Sequence, residues 1–257
     1  MLEPDLSTSS NNTSDASGLY KSTATNTGDA TYYFRGNIEN NYISFAGFTW
    51  RIVRINEDGT IRIIMQDGIN NNTSYQFNSL SNDYTYMYYT NSNIKSVLES
   101  WYDNNIGNHN SYASEIMIGK YYCEQTKVKY NGYTSNTNMI EYSDYLPNFK
   151  CNIDENEKGM VNASIGLLTY DEVVYAGGYY AQNNSNYYLN NPAIYWWTMS
   201  PSGSNYGYSY EWFINPNSSI QTNGVDNTYC IRPVINIKSD VQVIGNGTSS
   251  NPYVVIN

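Results

Sequence analysis

Apolar and polar positions divide the chain into a few short patterned elements separated by long polar stretches. In "FTWRIVRINEDGTIRIIM", residues 48–65, the runs "WRIVRI" and "TIRIIM" flank "NEDG". Two strands follow from this pattern, with Asp58-Gly59 supplying the positive-φ residues of a tight hairpin turn. Further along, Ile94, Val97, Leu98 and Trp101 fall at i, i+3, i+4 and i+7. They line one face of a helix, with Asn91 to Asn93 as N-caps, Gly107 as its stop and Trp101 as a core anchor. The block "SIGLLTYDEVVYAGG" predicts a short strand over 165–168, then a helix opened by a Thr169/Glu172 capping box and closed by Gly177-Gly178. Asp171 and Glu172 sit in that helix's first turn, where the macrodipole favours carboxylates, so their expected role is structural.

The rest of the chain reads as short β-type segments, "IYWWTMS", "YSYEWFIN", "CIRPVINI" and "PYVVI", punctuated by Gly, Asn, Ser and Pro. One hairpin and two helices followed by irregular strands predict an α+β, loop-rich domain and not a doubly wound parallel sheet. Residues 1–28 are rich in Ser, Thr and Asn and poor in apolar side chains. They are expected to be a flexible linker, leaving 29–257 as a single domain.

Charge removes whole classes of partner. With 13 Lys and Arg against 23 Asp and Glu, the formal net charge is −10. A phosphate-binding surface needs clustered cations, so neither nucleic acid nor an anionic membrane surface is an expected partner. No run of about 18 apolar residues is present, and "MLEPDLSTSS" has neither the basic nor the apolar segment of a signal peptide. Met1 reads as either a cytosolic start or a start that replaces a removed export segment, and few lysines, little free thiol and abundant Asn, Tyr, Ser and Thr favour the second. Asn-X-Ser/Thr triplets at Asn12, Asn72, Asn162, Asn217 and Asn246 are what such a composition produces by chance.

Chemistry-bearing residues are sparse. The three cysteines are Cys123, Cys151 and Cys230. Cys123 and Cys151 flank a polar segment with few apolar anchors, where a disulfide would contribute about 3–4 kcal/mol, leaving Cys230 unpaired. No Cys/His spacing suggests zinc, and no cofactor is expected. The one histidine, His109, lies in the polar loop "NIGNHNSY" with no nucleophile assigned to it. Glu211 and Asp226 are the best pair for glycoside hydrolysis, without any spacing to support them. No catalytic residue is assigned.

What remains is aromatic. The 29 tyrosines include Tyr206, Tyr208 and Tyr210, which alternate with Gly and Ser inside "YWWTMSPSGSNYGYSYEW" (195–212). Tyr and Trp offer large contact area with few rotors, and Ser, Gly and Asn offer adaptable hydrogen bonds, as in paratopes. Trp196, Trp197 and Trp212 are expected in the core. Tyr206, Tyr208 and Tyr210 are expected to share one side of a recognition loop with Tyr187, Tyr188 and Asn215.

The motifs "FAGFTWRIVRINEDGTIRIIM", "IGLLTYDEVVYAGG", "YWWTMSP" and "YCIRPVINI", in this order over 31–238, resemble a surface- and prepilin-associated domain family of Gram-positive (Firmicutes) bacteria. That family is similar to the C-type-lectin-like fold of the formylglycine-generating-enzyme relatives. The resemblance implies an N-terminal hairpin lying beside the C-terminal strand, and display on a bacterial surface or pilus through a membrane or pilus anchor preceding residue 1. Its implied role is a non-enzymatic, adhesin-like domain for a glycan or protein ligand, while formylglycine-type or glycosidase-type chemistry and a structural pilin or spacer role stand as alternatives. Cys230 stands alone where the enzymes need a reactive pair, and the nearest calcium-lectin triplet, Glu3-Pro4-Asp5, lies in the tail. The Asn, Tyr, Ser and Gly mixture near the C-terminus suits both retroelement diversification of a lectin-like domain and an AT-rich genome. The nucleotide sequence beside the gene separates the two.

Overall fold

The computed structural model describes residues 17–116, 121–124, 147–151, 159–205 and 208–256. In chain order the strands are β1 (Gly18–Ser22), β2 (Thr31–Arg35), β3 (Tyr42–Phe45), β4 (Phe48–Ile55), β5 (Ile61–Met65), β6 (Ser74–Gln76), β7 (Tyr121–Cys123), β8 (Met160–Asn162), β9 (Tyr179–Tyr180), β10 (Trp196–Asn205), β11 (Tyr208–Ile214), β12 (Ser219–Gly224), β13 (Thr228–Cys230), β14 (Val234–Ile237), β15 (Gln242–Ile244) and β16 (Tyr253–Ile256). Eight of them form one mixed sheet in the order β1-β2-β4-β3-β16-β15, with β5 joined to β4 and β14 to β5. A second mixed sheet runs β6-β13-β10-β11-β12-β9. With two principal helices between strands, the fold is α+β and strand-dominated.

β4 and β5 form the expected hairpin, but its turn is longer than a two-residue loop. The Asn56 amide donates to Thr60 O (2.8 Å) and the Gly59 amide to Asn56 O (2.9 Å), with Gly59 alone at positive φ (84°). Asp58 instead accepts the Thr60 amide on Oδ1 (3.0 Å), the self-bonding by which Asp favours turns. β14 pairs antiparallel with β5, Val234 opposite Ile64, so the hairpin and the C-terminal region are sheet neighbours. β16 runs parallel to β3, with Tyr253 opposite Ile43.

The helix Asn93–Tyr102 is capped by Ser92, whose Oγ accepts the Lys95 amide (3.2 Å). Its apolar face buries Ile94, Leu98 and Trp101, and Trp101 packs on Phe48 and Trp50. The helix Tyr170–Ala176 opens with the predicted box, Thr169 and Glu172 each accepting the other's backbone amide. It ends at Gly177, whose φ of 120° a side chain would resist. Arg35 Nη1 then donates to Val174 O (2.7 Å) and Tyr175 O (3.0 Å), placing a cation at the negative end of the helix. Residues 165–168 are not a strand; only Gly166 makes an isolated bridge, to Val234.

Part of the stretch expected to be linker is strand, while residues 1–16 lie outside the described residues. Residues 18–22 form β1 against β2, with Tyr20 opposite Tyr33. Tyr20, Tyr33, Phe149 and Tyr175 make a small second core. A single aromatic anchor plus the exposed ladder of β2 suffices to order this stretch, and composition alone does not register that.

Trp50, Trp196, Trp197 and Trp212 are all essentially inaccessible. At about 25 cal/mol per Å², burying each such ring is worth on the order of 4–6 kcal/mol, which lets aromatics carry much of this core. All five arginines, Arg35, Arg51, Arg54, Arg62 and Arg232, are buried. None of them is a surface charge.

Candidate functional site

The aromatic segment divides as its neighbours dictate. Trp196 lies beneath the Arg232 guanidinium (4.8 Å), and Trp197 donates its Nε1–H to Tyr75 O (2.9 Å) while packing on Phe77 and Phe213. Trp212 packs on Tyr170 and Tyr180. These rings are core, as expected.

Tyr195, immediately before them, points the other way and is 48% exposed. Its ring stacks on Tyr229 at 5.4 Å and 19°. Tyr229 in turn stacks on Phe213 (4.4 Å) and leans on Trp197 (4.5 Å). A column of rings therefore leads from solvent into the core. Tyr75, opposite Tyr229 on β6, borders it. Amides hold the phenols in place. Asn223 Nδ2 donates to Tyr229 Oη (2.7 Å), and Asn70 Nδ2 donates to Tyr75 Oη (2.7 Å). Asn70, Asn71 and Asn72 are all left-handed (φ 50°, 57° and 61°), a conformation that Asn tolerates better than other side-chain residues. The Gly68 amide secures this turn by donating to Asn72 Oδ1 (2.6 Å).

The five expected contact residues that are described do not converge. Tyr208 is 54% exposed and Tyr210 half-buried, alternating with buried Ser209 and Glu211 as β11 requires. Tyr206 lies outside the described residues. Tyr187 and Tyr188 are corrected to core residues, at 2% and 4% exposure. The Tyr188 amide donates to Gly36 O and its ring faces Arg51, while burial pushes both phenols well up from their usual range. Asn215 is corrected too. It closes the β11–β12 turn, accepting the Ser219 amide on Oδ1 (3.0 Å), at the end of β11 opposite Tyr208. Seven residues of strand put roughly 23 Å between them. Tyr195 and Tyr229 were missed because one sits beside core tryptophans and the other beside a cysteine. Register alone brings them together.

Glu211 and the Cys230 thiol are withdrawn from solvent. Glu211 has no exposure; Oε1 takes the Thr198 hydroxyl (3.5 Å) and Oε2 has no partner among the described residues. Burial first, and then the Glu124 carboxylate, push its pKa well up. Asp226, its supposed companion, is exposed and accepts from Ser81. Cys123 and Cys151 form the predicted disulfide. Cys230 is buried, its Sγ donating to Asn72 O (3.0 Å), and burial raises its pKa. His109 is exposed, with Nε2 near Asn104 O. Among the described residues no cluster of His, Cys, Asp or Glu could hold a metal.

One cavity of about 370 Å³ lies where the β4–β5 loop, residues 26–27, the disulfide and the first turn of helix 170–176 meet. Its lining includes Arg54, Arg62 and Glu172. Glu172 Oε1 accepts from Arg62 Nη1 (2.6 Å) and Arg54 Nε (3.1 Å), while Oε2 takes the Thr169 amide. Burial raises the Glu172 pKa, but Arg62 and Arg54 outweigh it and hold the carboxylate below its usual range. The rings of Phe149 and Tyr122 cover Arg54 and Arg62 at 4.7 and 5.0 Å.

No protein-family model matches this chain, and no curated protein or solved structure is significantly similar to it.

Proposed function

We propose that the chain is an exported, non-enzymatic recognition domain that holds a glycan or a protein surface on the six-stranded sheet. The observation that carries this reading is Tyr195 stacked on Tyr229. A half-exposed ring buttressed through Phe213 and Trp197 presents a fixed apolar face, so little side-chain freedom is lost on binding. Asn70 and Asn223 lie beside it to bond hydroxyls or backbone groups. A sugar ring, with one C–H face and equatorial hydroxyls, has the matching chemistry. Exposed Tyr208, with half-buried Tyr210 beside it in sequence, offers a second patch at the far end of the same strand pair, where the recognition loop was expected.

A C-type-lectin-like arrangement, displayed on a bacterial surface or pilus, is the architecture we propose. Pairing of the β4–β5 hairpin with β14 supports it. The burial of Glu211 favours binding over turnover. Probing a glycan and protein array with the wild-type domain and with Tyr195→Ala tests the reading. Ligands lost in the variant support it. Hydrolysis of a glycan, abolished by Glu211→Gln, would overturn it, and so would self-assembly into fibres without any ligand dependence on the tyrosines.

A further inference from the structure

The six-stranded sheet that carries the aromatic column is almost without charge. Among the described residues, Glu211 is the single Asp, Glu, Lys or Arg in β6 and β9 to β13, in a chain with 13 Lys and Arg and 23 Asp and Glu. Glu211 is fully buried, and burial pushes its pKa well up. Amides and hydroxyls surround the column instead. Asn70 and Tyr75 lie on its β6 side, and Asn223 and Gln221, the latter opposite Phe213, lie on its β12 side. Two phenols are held there as donors. Tyr229 Oη accepts an amide proton from Asn223, and Tyr75 Oη accepts one from Asn70, so each has its own O–H free of any described acceptor. Burial raises the Tyr229 pKa, which keeps that proton in place. Asn70 is exposed, and its side-chain oxygen accepts from no described residue. Its position is strained. Asn70, Asn71 and Asn72 are three successive left-handed residues, each costing on the order of 1 kcal/mol or more, and strain of this kind collects at binding sites.

We infer that the ligand of this surface is an uncharged, β-linked hexose chain, stacked on Tyr195 and hydrogen-bonded to Tyr75, Tyr229 and Asn70. The inference rests on the recognition reading above and narrows it. Sugar hydroxyls both donate and accept, so they take the phenol protons and give one to the Asn70 oxygen. A β-1,4-linked chain is an extended ribbon with C–H faces above and below and hydroxyls at its edges. That shape suits one exposed ring with polar groups to either side. An acidic sugar finds no counter-ion here, since all five arginines are buried and no lysine lies in these strands. A protein partner would cover about 800 Å² and use several anchors, whereas Tyr195 is the one exposed ring of the column.

Calorimetric titration of the intact domain with cellotetraose, β-1,4-galactotetraose and the C6-oxidised, carboxylate-bearing form of cellotetraose tests this. Saturable binding of a neutral chain is expected, about tenfold tighter than the oxidised one, because an unpaired carboxylate is costly to desolvate. Whichever neutral chain binds more tightly identifies the hexose. Tyr195→Ala should weaken binding by about thirtyfold or more, while Tyr195→Trp, which keeps a stacking face, should stay within about threefold of wild type. Asn70→Gly keeps the left-handed turn accessible and removes the amide on Tyr75, so binding should fall about two- to tenfold in a folded domain. No binding of either neutral chain, equal binding of the oxidised one, or no effect of Tyr195→Ala or Asn70→Gly would each overturn the inference. If ligands on the array are nonetheless lost with Tyr195→Ala, the recognition reading survives that failure; an array without such ligands overturns both.

Discussion

Arg62 Nη1 lies 2.6 Å from Oε1 of Glu172, joining the second strand of the hairpin to the first turn of helix 170–176 across 110 residues of sequence. Glu172 thereby serves as capping-box acid and as counterion to two arginines at once. Replacing it by Ala leaves both guanidinia buried without it, and a loss of about 3–5 kcal/mol is expected in urea unfolding. A loss below about 1 kcal/mol would mean that water reaches the triad.

The two buried glutamates give opposite pH dependences. Glu172 is held below the ordinary glutamate value of 4.5 by Arg62 and Arg54, so its contribution is present above that pH and is lost as pH falls through the folded-state value. Glu211 is raised well above 4.5, so its contribution is complete below that pH and is lost as pH rises towards its folded-state value. Glu211→Gln should therefore stabilise the protein more at pH 8 than at pH 4. Glu172→Gln should destabilise it more at pH 7 than at pH 3. Paired melting curves across this range check both signs.

Stability and binding should part company among the aromatics. Trp196→Ala and Trp197→Ala are each expected to cost about 3–5 kcal/mol of folding free energy. Tyr187→Ala and Tyr188→Ala should act in the same direction. Tyr208→Ala should stay within about 0.5 kcal/mol of wild type. Tyr195→Ala should also remain folded while losing at least ~2 kcal/mol of ligand binding. Melting and array binding on the same preparations distinguish the groups.

Thiol chemistry should be equally divided. With Cys123 and Cys151 bridged across a separation of 28 residues, reduction should cost about 3–4 kcal/mol. Cys230, at 3% exposure, should resist alkylation in the native state and react once on unfolding. Peptide mapping without reductant that links Cys230 to either partner would refute the pairing.

Local pattern made the hairpin, both helices, the capping box and the core tryptophans legible, because each depends on residues within a turn or two of one another. The disulfide was legible from the polar stretch it closes. Tyr187 and Tyr188 were misplaced because "NNSNYYLNN" has a loop's composition, and only Arg51 and Gly36, far back in the chain, show why the rings turn inward. Asn215 was grouped with Tyr208 by closeness in sequence, which an extended strand converts into distance. An irregularity in the β4–β5 register between Ile52 and Arg54 accompanies the burial of both Arg51 and Arg54, and alternation cannot foresee it.

The order of the eight-stranded sheet has a mechanical consequence. Residue 18 begins its edge strand β1, and residue 256 ends β16 on the opposite side of the sheet. Tension applied between those two points is borne first by the hydrogen-bond ladders linking β1, β2, β4, β3 and β16. The six-stranded sheet lies outside that line of force. A domain pulled from both ends would therefore load those ladders first, and a ligand on the proposed aromatic surface would sit on strands that this sheet order leaves out of the path.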